Sequence, residues 1–443
     1  MPAQARRISG EGPVHIRERK ALEPSWAAAG VALCISAQCL GQAPGFYPIG
    51  TIDGGDESYI MGFTQDGLAA VGYTGHSGQP AIEHAYRWTA AGGRVDAADA
   101  GLLNANTFHG MSSDGSIISG AMSTNTDWND RRAIVARVGQ PVQVLPLLSG
   151  WSKVTSAVVI SGDGTVVAGT LQGSGAPAPQ RGFRWTAAGG IQALPYPRAG
   201  DNFMTVRGIS RDGSTIVGES VNLATGIDAA FRWRAATGSQ ILPIPAPPFA
   251  TQARALAVSA NGEVVVGRYT GQTGTRAARW DASLSMHDLG TINGSTRNEA
   301  RCVSDDGLII GGFAGQANSV TWRAFVWTSQ YGIRLASEHF ADRRVEVPQE
   351  YSLGVCDEVS GNGNSFGVRL LTSSGTGNIS AVIVVGTPCF ADFNLDGGID
   401  GSDVVAFFQE WEVGAAASDL NRDGGVDGAD VQVFFEYWES GGC

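Results

Sequence analysis

Lysine is almost missing from this 443-residue chain: Lys20 and Lys153 are the only two. With 42 acidic residues against 30 basic ones the formal net charge is -12, and no cluster of Lys and Arg tracks a phosphate backbone, which excludes nucleic acid as a partner. Long apolar runs are lacking too. The stretch from Trp26 to Ala37, about a dozen residues, is too short to cross a membrane, so no transmembrane helix is expected in the mature chain. The chain has six histidines. His76, His84, His109, His287 and His339 fall at different places in the pattern described below, without zinc spacing.

The charge is unevenly placed. Residues 389 to 443 carry twelve acidic side chains against Arg422 alone, so nearly all of the excess belongs to the C-terminal tail. At the other end, Arg6, Arg7, Arg17, Arg19 and Lys20 precede the short apolar stretch, and small residues follow up to Ala43. That order is expected of a secretory signal peptide over residues 1–43, which places the mature protein outside the cell or on its surface. Cys34 and Cys39 would leave with it. The four cysteines that remain, Cys302, Cys356, Cys389 and Cys443, allow three disulfide connectivities, including Cys302 with Cys356 beside a terminal pair.

Two twelve-residue acidic loops repeat in the tail, 27 residues apart. The first offers Asp392, Asn394, Asp396, the carbonyl of Gly398, Asp400 and Asp403. The second offers Asp419, Asn421, Asp423, the carbonyl of Gly425, Asp427 and Asp430. Oxygen ligands at positions 1, 3, 5, 7, 9 and 12, with glycine at position 6, form the spacing that wraps a calcium ion, and two Ca2+ ions are expected. After each loop, apolar residues recur at i, i+3, i+4 and i+7: Val404, Phe407, Phe408 and Trp411, then Val431, Phe434, Phe435 and Trp438. Each loop therefore opens one amphipathic helix, and the two stripes bury against each other.

This two-fold loop-helix unit, without the entering helix of a full EF-hand, resembles a dockerin domain over residues 389–443. The resemblance implies the ligand set named above and, as partner, a cohesin-like protein or another cell-surface anchoring component. Positions 10 and 11, Gly401 with Ser402 and Gly428 with Ala429, depart from the hydroxylic pairs of cohesin-binding members. The ending Gly441-Gly442-Cys443 is similar to the Gly-Cys-terminated dockerin-like domains of bacterial surface proteins. It leaves open whether Cys443 forms a disulfide with Cys389 or serves as an attachment point.

Between these ends the chain repeats itself. A turn returns seven times, at Gln65-Asp66-Gly67, Ser113-Asp114-Gly115, Gly162-Asp163-Gly164, Arg211-Asp212-Gly213, Ala260-Asn261-Gly262, Asp305-Asp306-Gly307 and Gly361-Asn362-Gly363, with a spacing of about 49 residues. Asp-Gly or Asn-Gly between apolar runs predicts a hairpin whose two central residues take positive φ. A third strand, typified by Ala230-Phe231-Arg232-Trp233, alternates aromatic and Arg. A fourth, typified by Ile241-Leu242-Pro243, follows a short turn. Four short strands in each of seven units predict an all-β fold, a seven-bladed β-propeller over residues 44–388. The seventh unit lacks a fourth strand of its own, and Tyr47 to Ile52 reads like the fourth strand Leu289 to Ile292, so residues 46–52 are expected to close the last blade.

The segment Glu83-His84-Ala85-Tyr86-Arg87-Trp88 gives these units a resemblance to the HAF family of extracellular repeats, which implies no particular activity. The recurring Asp reads as a turn residue rather than an acid or base, the polar stretch Glu338 to Arg344 reads as a solvated loop, and no catalytic residue is assigned. The expectation is an exported binding protein, with a glycan as one candidate ligand. Two alternatives stand beside it: a polysaccharide-degrading enzyme or cellulosome-like component delivered by its dockerin, and a self-associating surface scaffold.

Overall fold

The computed structural model describes residues 43–51, 55–76, 79–97, 107–123, 130–137, 140–155, 157–175, 177–246, 250–292, 294–316, 322–343, 345–372, 378–385, 391–394, 399–415, 418–420 and 425–440. Residues 1–42 of the expected signal peptide, Cys389, Cys443 and the expected ligands Asp396, Gly398, Asn421 and Asp423 lie outside them. The fold is mostly β.

Each of the seven turns joins two antiparallel strands, and unit 4 shows how a unit is built. Its strands Phe203–Ile209, Thr215–Asn222, Ile227–Arg234 and Gly238–Ile241 pair antiparallel in chain order. The turn differs from the expected form. Positive φ falls on its glycine alone, +70° at Gly213, while Asp212 keeps a negative φ. The Gly213 amide donates to the Ser210 carbonyl at 2.9 Å, which makes Ser-x-Asp-Gly a four-residue turn with glycine last. The side chains explain the preference: Ser210 Oγ donates to Asp212 Oδ1, the same oxygen accepts from the Ser214 amide at 2.9 Å, and Ser210 Oγ accepts from the Thr215 amide at 2.9 Å. The recurring carboxylate is thus consumed by its own turn. At Asp114, hydrogen bonds from Ser112 and the Ser116 amide hold the carboxyl below its usual range.

The turns are also bonded to one another. Gln65 N donates to Ser113 O (3.0 Å), Ser113 N to Gly162 O (2.7 Å), Gly162 N to Arg211 O (2.7 Å), Asp212 N to Ala260 O (3.1 Å), Ala260 N to Asp305 O (3.1 Å), Asp305 N to Gly361 O (2.9 Å), and Asn362 N back to Gln65 O (3.0 Å). The circuit returns to its first turn. The chain ends of the repeat meet as well: strand Gly45–Pro48 pairs antiparallel with Asn378–Val384, the third strand of unit 7, with Gly45 opposite Val384 and Pro48 opposite Ala381. Apolar clusters bridge neighbouring units rather than filling one centre. Ile49, Ile60, Tyr86 and Trp88 pack with Val382 and Val384 across the first and last units, and Leu194 packs with Met204, Val206 and Phe231 across units 3 and 4.

Between units 6 and 7 the stretch expected as a solvated loop begins with a helix, Ala336–Ala341. Its His339 and Phe340 are buried, and Phe340 meets Phe366 edge-on with ring centroids 5.1 Å apart. The acidic side chains that made it look solvated face outward: Arg334 pairs with Asp342 at 2.6 Å, and Glu338 accepts from the Leu335 amide at 3.2 Å.

The C-terminal tail holds two helices, Gly401–Glu412 and Gly428–Ser440. Phe407 and Phe434, equivalent positions of the two repeats, stack face to face with centroids 4.4 Å apart and planes 7° from parallel. Phe393 and Leu420 complete a buried core. Trp411 Nε1 donates to the Asp427 carbonyl at 2.9 Å, tying the first helix to the second loop. This core draws no residue from the repeat region among the described residues.

Candidate functional site

Two places gather polar chemistry, the axial channel enclosed by the seven innermost strands and the pair of acidic loops.

The channel is shaped by β-bulges. In unit 4 the register slips between Val206 and Gly208, so Arg207 is the extra residue and its side chain turns toward the axis. Opposite the bulge stands Gly218, where a Cβ would lie 1.9 Å from the Thr205 carbonyl oxygen, so only glycine fits. Counted back from the turn, the same position holds Met61, His109, Val158, Leu256, Arg301 and Asp357 in the other units. Arg207 grips Glu219 with two nitrogens, Nη2 to Oε1 at 2.7 Å and Nε to Oε2 at 3.1 Å, and Glu219 is 3% exposed. Arg301 Nη1 bonds Glu299 at 2.9 Å and its Nε pairs with Asp357 at 2.8 Å. Arg268 joins Glu299 at 3.1 Å, and Arg369 holds both oxygens of Asp357 at 2.7 Å. The Arg369 guanidinium then lies 5.3 Å from the centre of the Tyr59 ring. One chain of charges therefore runs through units 5, 6 and 7 to unit 1.

Burial opposes the Arg301 charge, but the Asp357 and Glu299 carboxylates outweigh it and raise its pKa. Glu358, beside Asp357 on the same strand, is pushed well above the usual carboxylate range by burial and then by Asp357. His109 is driven down to about 3 by burial and by Arg131, and its neutral Nδ1 accepts from the Val158 amide at 3.3 Å. The cavity between these residues and the turns has a volume of about 160 Å³. At the turn end Arg211 lies across the axis, with Nε 2.7 Å from Asp305 and Nη1 2.9 Å from Ser113 Oγ. It passes where side chains at Gly162 and Gly361 would stand: a Cβ there would come within 2.2 Å of Arg211 Cγ or 2.4 Å of Asp305 Oδ2.

In the tail, the position-12 aspartates Asp403 and Asp430 are fully buried. Asp403 accepts from the Asn394 and Asp400 amides, both at 2.9 Å, and Asp430 accepts from the Asp427 amide at 2.9 Å. Position 9 also caps the helix: Asp400 Oδ1 accepts from the Ser402 amide and Asp427 Oδ1 from the Ala429 amide, both at 2.8 Å. Asp392 and Asp419 stand at the loop entrances and Gly425 at the second position 7. The donors among the described residues are all oxygen and the two position-12 carboxylates are buried, a set that fits a hard cation such as calcium. Among the described residues, which leave out three side-chain donors and one carbonyl donor of these loops, no group of three His, Cys, Asp or Glu side chains is close enough to hold a metal. The Cys302 and Cys356 thiols, buried on the innermost strands of units 6 and 7, are free and face each other at 3.8 Å.

None of the channel residues was singled out by sequence reasoning. The available signal was charge in otherwise apolar innermost strands, at Arg207, Arg301 and Asp357 with Glu358.

No protein-family model matches the chain, and no curated protein matches it. Solved structures do. An oligogalacturonate lyase from Vibrio parahaemolyticus aligns with a TM-score of 0.50 at 12% identity, over 76% of this chain and 92% of that one. An oligogalacturonate lyase in complex with manganese gives the same score and identity over 75% and 90%. The β-propeller domain of the trilobed protease from Pyrococcus furiosus aligns with a TM-score of 0.48 at 9% identity, over 74% and 94%. At such identities the likeness concerns the fold alone, which is propeller-like.

Proposed function

We propose that the chain is an exported binding protein in which a seven-bladed β-propeller is presented by a dockerin-like, calcium-dependent anchoring module. The observation that carries this reading is the division of labour in the molecule. The turn-to-turn circuit closes on itself, while the two loop-helix repeats fold around a core of their own. The strand Gly45–Pro48, laid against unit 7, would be the fourth strand of the last blade. One calcium ion would be held by Asp392, Asn394, Asp396, the Gly398 carbonyl, Asp400 and Asp403, the other by Asp419, Asn421, Asp423, the Gly425 carbonyl, Asp427 and Asp430. Bound calcium would neutralise the crowded carboxylates and fix the entry of each helix.

Export follows from the order of residues 1–43, and an oxidising location would allow Cys302 and Cys356 to pair. Gly311 favours this, since a Cβ there would stand 2.5 Å from one sulfur and 2.6 Å from the other. Cys389 and Cys443 would pair, or Cys443 would be the attachment point. Binding rather than catalysis is favoured because the recurring carboxylates are bonded within their own turns and the channel guanidiniums are anchored by carboxylates. The test is calcium titration into the chelator-treated mature chain, followed by glycan and protein binding panels. Two calcium ions per chain and a saturable ligand without release of sugars are expected. Sugar release would make the protein an enzyme, and self-association without a ligand would make it a scaffold.

A further inference from the structure

We infer that the axial channel is a blind pocket, open only at the mouth opposite the turns, that takes a small carboxylate anion between Arg207 and Arg301. Both side chains occupy the bulge position, two units apart, and both line the cavity. Glu219 grips one edge of the Arg207 guanidinium, whereas Glu299 and Asp357 each hold a separate nitrogen of Arg301. Arg207 uses Nε and Nη2, and Arg301 uses Nε and Nη1. That leaves Arg207 Nη1 and Arg301 Nη2 making no hydrogen bond to a described residue. The Arg207 side chain is 37% exposed and that of Arg301 35%, and this open surface belongs to the channel wall.

Charge favours an anion here. Four guanidiniums, of Arg207, Arg268, Arg301 and Arg369, meet the carboxylates of Glu219, Glu299 and Asp357, burial favours the uncharged form of Glu358, and the Arg207 and Arg301 charges lie close enough to repel each other. A carboxylate between them would relieve that repulsion and accept from the free nitrogen of each, as charge-assisted hydrogen bonds. Glu358, which lines the same space, offers a carboxyl group for a hydroxyl on the ligand. The volume of about 160 Å³ admits a molecule of roughly six or seven non-hydrogen atoms. Arg211, anchored to Asp305 and Ser113, forms the floor, so entry is from the other end.

The inference rests on the reading of the ring as the binding part of the chain. It is tested by calorimetric titration of the full mature protein, in calcium-containing buffer, with glycerate, glycerol and inorganic phosphate. Glycerate should bind saturably at one site per chain and glycerol should not. The double variant Arg207→Met with Glu219→Met, which leaves no buried charge unpaired, should weaken glycerate by at least about tenfold. Leu256→Trp, which fills the channel from unit 5 without touching a charge, should abolish binding, with circular dichroism confirming that each variant is folded. Binding undiminished in Leu256→Trp, equal binding of glycerol, binding of phosphate alone, or no binding by the folded wild type would each overturn the inference. If glycerate fails while a glycan or protein binds in the panels, the pocket is wrong and the binding reading stands.

Discussion

Asp212 in the ring and Asp403 in the tail are both repeated carboxylates, and they are used in opposite ways. Asp212 accepts from a hydroxyl and an amide two residues either side of it, so each turn is satisfied locally and the ring is joined by backbone bonds that need no charge. Asp403 is buried and accepts from amides nine and three residues before it, in a segment crowded with other carboxylates. A turn of the first kind holds a single carboxylate whose charge is met by its own hydroxyl and amide donors. A loop of the second kind gathers like charges that repel until a cation offsets them. The ring should therefore be indifferent to metal and the tail dependent on it.

Four perturbations would sharpen or break that contrast, each read by calorimetry and circular dichroism in calcium. Removing residues 43–51 deprives unit 7 of the strand laid against it and of buried Ile49, and should cost the ring roughly 4 kcal/mol while leaving the tail transition in place. Phe407→Ala opens the stacked centre of the tail and should cost about 3 kcal/mol there, with the ring transition unmoved. Arg207→Met strands Glu219 in the channel wall and should cost about 2 kcal/mol in the ring, largely regained when Glu219→Met is added.

The fourth and smallest effect is one of pH. Burial raises the Glu83 carboxyl from 4.5 to about 7, so the folded ring binds this proton more tightly than the unfolded chain does. Its contribution is present below about pH 4.5 and lost as pH rises through 7, and Glu83→Gln should flatten that slope. The tail should respond in reverse, since protons compete with calcium for its carboxylates. A parallel pH response of the two transitions would erase the contrast.

Much of the ring was legible in the sequence because its signals are local. The turn Ser-x-Asp-Gly satisfies itself, and strands such as Phe231-Arg232-Trp233 alternate visibly. The backbone form of the turn was misread, since Asp-Gly suits a turn with two positive φ values as well as one with glycine last, and the Ser two places before Asp212 decides between them. The channel was not legible. A bulge inserts a single residue without breaking the apolar pattern, so nothing marked Arg207 as turned toward the axis, and Glu219 reads as an ordinary polar strand residue until the fold brings the two within 2.7 Å. The helix Ala336–Ala341 was hidden for a related reason: His339 and Phe340 find their partner in Phe366, twenty-six residues on.

Hydrogen exchange on the full mature chain, with and without EDTA, tests the central claim most directly. The account predicts that chelation strips protection from the amides of 401–412 and 428–440 while those of Ser113, Gly162, Asp212, Ala260 and Asp305, which join the turns, stay as slow as before. Loss of protection in both sets together, or in neither, would contradict it.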